Sequence, residues 1–385
     1  MRIVWVSLTS SVHHTGGGGA YSRSLLAMLR ALPDTEVVVV EPPRARPRAE
    51  HRLRQLRSFG AAALRGLSAK LLFDRDDDVR ARLRELRHHG EVDLVVCNGT
   101  SAAAEVDVLP PDVPWIVAVH NVEADLYAEQ LRRTPTAFRW LAEGALRQSK
   151  RHLAYEQAVF GSSAALLFIS EDDAHRVREL LGRDVHSLVI PPTFPEDERW
   201  RRDARDSAAA RPTDAPVRLG FLAKMSWWPN REALQWFLDA IWPEVDQERT
   251  ELHVFGEGSE AFSTPERAVF GHGFTDELND VWRGVDVFIN PMRSGGGVNV
   301  KVCEALFHGF PVLSSPQGLR GLPSFDDPAL RVCQNAEQWR SALTAEALES
   351  FRRATPRPTT WEHFAAERVA GRLATLLRNI ARSPR

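Results

Sequence analysis

Short apolar runs alternate with amphipathic segments along the whole chain. The runs have the length of buried strands, and the segments between them carry apolar residues three and four positions apart. This alternation is typical of βαβ units and predicts an α/β protein. The predicted strands are 3–7, 37–40, 92–97, 115–119, 164–170, 188–192, 219–223, 252–255, 268–270, 287–289, 311–315 and 330–333.

Two doubly wound domains are expected from this pattern. The chain has 385 residues, more than one hydrophobic core usually serves. The segment from Glu196 to Pro216 is charged, rich in alanine and flanked by proline, as expected of a linker. We therefore predict a first domain over 1–195, a linker over 196–216, a second domain over 217–355, and a C-terminal helix over 356–385 that crosses back to the first domain.

A triple glycine in the second half is the strongest candidate for a ligand site. It joins the predicted strand 287–289 to a helix predicted from Val298 to Phe307. A helix N-terminus carries unpaired N–H groups and a partial positive charge, and both attract anions. Lys301 and Glu304 share a helix face behind the loop, a cation suited to phosphate and a carboxylate suited to sugar hydroxyls. A tight turn followed by a solvated Lys301–Glu304 pair is the alternative.

Two further features follow predicted strands in the first half. Gly16 to Gly19 leads into a helix predicted over 20–32, but it lacks the G-x-G-x-x-G spacing of dinucleotide-binding loops. We favour a loop that touches a ligand, or a simple turn, over an NAD or FAD site. His120 follows the strand 115–119, and such a position points into the crevice where open α/β sheets bind ligands. We favour a functional over a structural role for it.

Composition narrows the class of protein. With 43% hydrophobic and 26% charged residues and a net charge of −2, the chain is typical of a soluble globular protein, and nucleic acid is not expected as its main partner. No apolar run approaches the ~18 residues of a membrane span. The three cysteines, Cys97, Cys303 and Cys333, are too scattered to indicate a disulfide framework or a metal site. A cytoplasmic enzyme is the default expectation.

One segment is strongly basic. Between Pro42 and Phe73 there are eight basic residues and one acidic residue, and leucines recur at helical spacing. A helix over Arg44 to Lys70 would suit an anionic membrane or a phosphorylated lipid acceptor, or would pack its leucines on the domain as a solvated helix. Asp76 to Asp78 resembles a metal-binding cluster, but acids at this spacing are typical of the start of a helix, here predicted over 79–88.

Four segments of the second half stand out together, in this order: Gly220 to Asn230, Val254 to Gly258, Phe270 to Phe274, and Ser294 to Leu313. This ordered set resembles the donor-binding domain of GT-B glycosyltransferases, specifically the retaining enzymes of glycosyltransferase family 4. The first half agrees through its glycine run, His120 to Glu123, Phe168 to Ser170 and Val189 to Pro192. The resemblance implies two doubly wound Rossmann-like domains that face each other across a cleft.

The resemblance also implies a reaction and roles for residues. It implies transfer of a sugar from a nucleotide-diphospho-sugar to an acceptor hydroxyl, with retention at the anomeric carbon, no cofactor and no bound metal. Lys224 and Lys301 look like the cations that neutralise the diphosphate, and His120 looks like the residue that contacts the donor sugar. The implied donor-binding positions are Gly17, Gly18, Gly19, Gly296, Gly297, Val298, Asn299 and Glu304.

The chain departs from the family pattern at two places. Gly297 stands where the family often has a carboxylate, although backbone N–H groups of 296–298 could hold the sugar hydroxyls instead. The segment Trp227 to Asn230 stands where a second cation would lie. The Trp227–Trp228 pair either stacks on a base or sugar ring or packs with Trp236.

These departures keep other hypotheses open. One is a non-catalytic sugar-nucleotide-binding partner subunit, and another is a GT-B phosphorylase or epimerase. The acceptor is open among a lipid-linked glycan, a polysaccharide and a small natural product. The sugar and the base of the donor are also open.

Overall fold

A computed structural model of the chain describes residues 1–9, 16–42, 68–89, 92–132, 139–195, 215–275 and 278–382. The chain forms two compact units, the first made of Met1–Pro191 with Val369–Arg385 and the second of Pro192–Arg368. The predicted linker falls almost wholly outside the described residues, and so does most of the basic segment.

The first unit is built on a six-stranded parallel sheet with the strand order β2-β1-β3-β4-β5-β6. Its central strands are buried on both faces, which explains why they appear in the sequence as continuous apolar runs. The strands are β1 (Arg2–Ser7), β2 (Glu36–Val40), β3 (Leu94–Asn98), β4 (Trp115–Val119), β5 (Ala165–Phe168) and β6 (Ser187–Val189).

Helices connect these strands. They are α1 (Gly17–Arg30), α2 (Ala69–Asp74), α3 (Asp77–His89), α4 (Glu123–Arg132), α5 (Arg139–Ser162) and α6 (Glu171–Leu181). The acidic cluster marks a helix start, as the sequence favoured. The Asp76 carboxylate accepts hydrogen bonds from the backbone N–H groups of Asp78 (3.1 Å) and Val79 (3.2 Å) and so caps α3.

The second unit has a six-stranded parallel sheet with the order β12-β11-β10-β7-β8-β9. Its strands are β7 (Val217–Leu222), β8 (Thr250–Phe255), β9 (Val269–Gly273), β10 (Val287–Asn290), β11 (Val312–Ser314) and β12 (Leu330–Val332). Its helices are α7 (Trp228–Ala240), α8 (Leu278–Arg283), α9 (Val300–Phe307), α10 (Ala336–Ala342), α11 (Ala345–Phe351) and α12 (Pro358–Trp361). The last helix, α13 (Ala366–Arg382), belongs to the first unit from Val369 onward.

All twelve predicted strands are present, so the predicted α/β class is confirmed. Several helix boundaries differ from the prediction. Helix α1 begins at Gly17 instead of at 20, because the N–H of Ala20 already bonds the carbonyl of Gly16 (3.0 Å). Helix α9 begins two residues later than predicted. The terminal helix is interrupted at Ala365, which is extended and forms a β-bridge with Phe194.

Candidate functional site

The order of strands in the second sheet reverses between β7 and β10, which lie side by side. Ligands of open parallel sheets bind outside the carboxyl ends of the strands at such a reversal. Lys224 follows β7, and the glycine-rich loop 291–299 follows β10. The topology therefore places the predicted lysine and the predicted glycine loop at the same point of the sheet.

The three glycines of this loop lie outside the helix, and two of them have positive φ. Gly295 has a φ of 105° and Gly297 a φ of 72°. A Cβ atom on Gly295 would lie 3.0 Å from the ring of Trp227, so a side chain there would also be crowded. The carbonyl of Gly295 accepts hydrogen bonds from Gln317 Nε2 (2.7 Å) and Arg320 Nη1 (3.5 Å). Neighbouring side chains thus fix the turn before a ligand binds.

The start of α9 is not capped by its own N-cap residue. Asn299 turns its side-chain amide away from the helix and donates to the carbonyl of Gly318 at 3.0 Å. Gly296, Gly297 and Val298 are half-buried. The positive end of the helix dipole therefore meets a partly exposed backbone, which is the arrangement that binds anions.

Lys301 lies in the first turn of α9 and is held by neutral groups. Its Nζ donates to Asn230 Oδ1 (3.3 Å) and lies 4.8 Å from the centre of the Phe221 ring. No carboxylate in the described part of the chain forms an ion pair with it, so the alternative of a solvated Lys301–Glu304 pair is wrong. Burial lowers the pKa of Lys301 to about 7. An incoming anion would find a cation that the protein has not neutralised.

Lys224, unlike Lys301, has an acidic partner. Its Nζ forms an ion pair of 2.8 Å with Glu257, and both side chains are more than two-fifths exposed, at 42% and 44%. The chain has only four lysines, Lys70, Lys150, Lys224 and Lys301, so two of the four follow strands that meet at the reversal point. A lysine ammonium is a compact point charge that suits a phosphate group.

Glu304 is buried one turn after Lys301, with 9% of its surface exposed. Trp227 packs its ring against Gly295, at the entry to the glycine loop. This contact supports the packing alternative for Trp227, although its predicted partner was Trp236. Among the described residues, Arg293 rather than another aromatic ring lies over the Trp236 ring, at 5.1 Å.

In the first unit, the sequence-predicted residues gather at the reversal point between β1 and β3. Asn98 ends β3, and its Oδ1 accepts hydrogen bonds from His120 Nε2 (2.8 Å) and Ser22 Oγ (3.1 Å). An amide oxygen only accepts, so Nε2 of His120 carries a proton. Tyr21 packs edge-on against the His120 ring with centroids 5.1 Å apart. The imidazole is therefore held in one orientation at the carboxyl end of β4.

The first glycine run has a different structure from the second. Gly17, Gly18 and Gly19 form the first turn of α1, and only Gly16, before the helix, has a positive φ, of 99°. Ser22 Oγ has one proton, which it shares between the carbonyl of Gly18 (2.9 Å) and Asn98 Oδ1 (3.1 Å). Ser22 thus connects this turn to Asn98 and, through it, to His120.

A buried ionic cluster follows His120. Although burial opposes ionisation, Lys70 and His152 hold the pKa of Glu123 near 2. Burial raises the pKa of Glu156 to about 7, and its carboxyl accepts hydrogen bonds from the backbone N–H groups of Glu123 and Ala124, both 3.0 Å. Lys70 also pairs with Glu123 at 3.2 Å, so this end of the basic segment is bound inside the first unit.

Sequence reasoning missed several residues at the reversal points of the two sheets. Asn98 could have been found, because a polar residue that ends an apolar strand lies at the ligand edge of a parallel sheet. Gln317 and Arg320 carry no such signal, since they reach Gly295 only through the pairing of β10 with β11.

The expectation of no membrane span can be compared with the helices. Among those of the described residues, none combines the length and the apolar composition that a membrane span requires.

Two parallel α/β units with reversal points at glycine-rich turns define the GT-B fold class, as the sequence predicted. Residues 216–345 match the family model described as Glycosyl transferases group 1. This match contains all four segments on which the resemblance rested, and it confirms that resemblance.

Solved structures of the same fold cover nearly the whole chain. Sucrose-phosphate synthase from Thermosynechococcus elongatus is 15% identical, with a TM-score of 0.64 and coverage of 98% of both chains. HepE from Anabaena, solved in complex with UDP-glucose, is 14% identical, with a TM-score of 0.61 and coverage of 98% of this chain and 100% of that one. WaaG, a glycosyltransferase involved in lipopolysaccharide biosynthesis, is 15% identical, with a TM-score of 0.59 and coverage of 99% and 98%.

A curated relative is also similar in sequence. An uncharacterized 44.6 kDa protein in the cps region of Klebsiella pneumoniae is 22% identical over 264 residues, which are 63% of this chain. The chain spans 62% of the length of that relative.

Proposed function

We propose that this chain is a retaining, metal-independent glycosyltransferase that moves a sugar from a nucleoside-diphosphate donor to an acceptor hydroxyl. The observation that carries the proposal is Lys301, a lysine without a carboxylate partner in the described part of the chain, at the start of a helix that a glycine loop enters. A doubly charged leaving group needs such a cation, and the un-neutralised ammonium supplies it in place of a divalent metal.

The donor would bind to the second unit. Its diphosphate would lie against the glycine loop and the first turn of α9, between Lys301 and Lys224. Glu304, buried on the same helix, would accept hydrogen bonds from the ribose hydroxyls. The half-buried Gly297, with its positive φ, would let the phosphate oxygens approach the backbone closely.

Chemistry would consist of one exchange of bonds at the anomeric carbon. The acceptor oxygen forms a bond to this carbon on the face from which the diphosphate departs, and the bond from the carbon to the diphosphate oxygen breaks. The departing phosphate oxygen takes the proton of the acceptor hydroxyl, so no side-chain base is required. Lys301 and the α9 dipole stabilise the negative charge that develops on the phosphate.

His120 would contact the donor sugar from the first unit. The hydrogen bond to Asn98 and the edge-on contact with Tyr21 fix the ring, so its position does not have to be organised during the reaction.

The acceptor class that we propose is a glycan. Support comes from WaaG, whose structure is that of a lipopolysaccharide biosynthesis enzyme, and from the relative in the cps region.

A calorimetric screen tests the proposal. Purified protein is titrated with UDP, GDP, dTDP and ADP, and each titration is repeated with Lys301→Ala and with Lys150→Ala, an exposed lysine on α5. We expect one diphosphate to bind selectively, Lys301→Ala to abolish its binding and Lys150→Ala to leave it unchanged. Absence of binding to any of the four would remove the basis of the proposal. Turnover of the matching nucleotide sugar only with an added glycan would distinguish a transferase from an epimerase.

A further inference from the structure

Asn230 lies near the start of α7 and is only 5% exposed. Its Nδ2 donates to the backbone carbonyl of Lys224 at 2.9 Å, and its Oδ1 accepts from Lys301 Nζ at 3.3 Å. An ammonium only donates and a carbonyl only accepts, so a single orientation of the amide satisfies both partners. One side chain thus connects the loop after β7 to the first turn of α9.

The partner that Asn230 offers to Lys301 is neutral. An aspartate of the same shape would pair with the ammonium and cancel its charge, whereas the amide oxygen orients the ammonium and leaves its charge in place. The Phe221 ring, 4.8 Å from Lys301 Nζ, is a second neutral contact. The surroundings of Lys301 therefore hold it in position without competing with an anion.

We propose that Asn230 is a positioning residue for the donor diphosphate, which fixes Lys301 and the Lys224 loop relative to each other and keeps the Lys301 ammonium uncompensated. This inference rests on the proposed function, since it requires that Lys301 binds the diphosphate. It also gives a role to the segment Trp227 to Asn230, where the resembling family has a second cation.

A positioning role and a packing role of Asn230 predict opposite rankings of pyrophosphate affinity for two variants, Asn230→Asp and Asn230→Ala. Asn230→Asp keeps the size of the side chain but places a carboxylate beside Lys301, so we expect affinity for inorganic pyrophosphate to fall about a hundredfold. Asn230→Ala removes the contact but adds no charge, so we expect a fall of about tenfold. If the side chain served packing alone, the smaller alanine would be the more harmful change.

Titration calorimetry with inorganic pyrophosphate and with UDP separates these roles, because pyrophosphate reports on the cations whatever base the donor carries. The matched control is Asn335→Ala, which removes an asparagine that caps α10 in the same unit by accepting from the N–H of Gln338 at 3.0 Å. Thermal unfolding shows which variants are folded. We expect wild type and Asn335→Ala to bind alike, Asn230→Ala more weakly and Asn230→Asp most weakly.

Two outcomes would overturn the inference and leave the proposed function intact. One is an affinity of Asn230→Ala equal to or below that of Asn230→Asp. The other is wild-type affinity in both variants while Lys301→Ala abolishes binding. If wild type binds neither probe nor any diphosphate of the screen, the proposed function fails and the inference fails with it. Should Asn230→Ala not fold, Asn230→Ser replaces it as the neutral variant in the same ranking.

Discussion

The two glycine-rich turns of this chain start from a similar sequence and end in different structures. In the first unit, Gly17 to Gly19 enter the helix, and the cation four residues after Gly19, Arg23, is exposed. In the second unit, Gly295 and Gly297 remain outside the helix with positive φ, and Lys301 lies behind them without a carboxylate partner among the described residues. A glycine run thus predicts a strand-to-helix turn, whereas the conformation of its glycines and the surroundings of the cation behind it decide whether the turn suits a phosphate.

The sharpest test of this difference is Lys301→Ala. We expect it to weaken binding of the cognate nucleoside diphosphate at least about a hundredfold, or about 3 kcal/mol, because the diphosphate loses its main buried cation. Calorimetry of the variant and of Lys150→Ala measures the effect. A change of less than threefold in Lys301→Ala would show that the second turn is no more suited to a phosphate than the first.

His120→Ala tests whether the first unit acts on turnover rather than on binding of the diphosphate. We expect turnover to fall about a hundredfold while binding of the nucleoside diphosphate changes less than twofold, because His120 would contact the sugar and not the phosphates. Measurement of kcat beside the calorimetric affinity separates the two effects. Asn98→Ala should lower kcat in part, since Asn98 orients the ring. Loss of diphosphate binding in His120→Ala would contradict the division of roles between the two units.

The fold was predictable from the sequence. The difference between the two glycine-rich turns was predictable only in part. Buried parallel strands appear as apolar runs because both of their faces are covered, and this signal is local. The conformation of Gly295 depends on Trp227 and on donors at 317 and 320, which are distant in sequence. Lys301 was recognisable as a candidate from its place in the motif, but the sequence does not show that the described residues provide no carboxylate partner for it.

The pH dependence of binding tests the state of Lys301. In the free protein its pKa is lowered to about 7, and a bound dianion would raise it, so binding would take up a proton. Affinity for UDP should therefore be highest between about pH 6, where its terminal phosphate titrates, and pH 7, and fall as pH rises further, by about tenfold between pH 7.5 and 8.5. UDP keeps a constant charge in that range, because its terminal phosphate titrates near pH ~6.

The titration can also be observed directly. Reductive methylation with ¹³C-formaldehyde labels lysine side chains, and the four lysines of the chain give a spectrum simple enough to assign with single Lys→Arg variants. One signal should titrate near pH 7 in the free protein and shift to higher pH when diphosphate is added. An ordinary lysine titration for Lys301 would contradict this prediction.

Paired glycine substitutions compare the two turns at the level of the backbone. Gly297→Ala forces a φ of 72° on an alanine, so we expect a loss of stability of about 1 kcal/mol and about fivefold weaker diphosphate binding. Gly17→Ala lies in the first turn of α1 and should raise stability by about 0.5 kcal/mol, because alanine restricts the unfolded chain. Thermal unfolding measures both changes. Equal effects of the two substitutions would mean that the two turns share one conformation in solution.

The smallest expected effect concerns Lys224, which differs from Lys301 in having an acidic partner. Glu257→Gln removes the ion pair of 2.8 Å and leaves the Lys224 ammonium available to the diphosphate. Because both side chains are well exposed and solvent screens the pair, we expect affinity to rise only about twofold. Calorimetry at low and high salt measures the gain, which should be greatest at low salt. A fall in affinity would mean instead that Glu257 holds Lys224 in its binding position, and that the acidic partner assists the cation rather than competing for it.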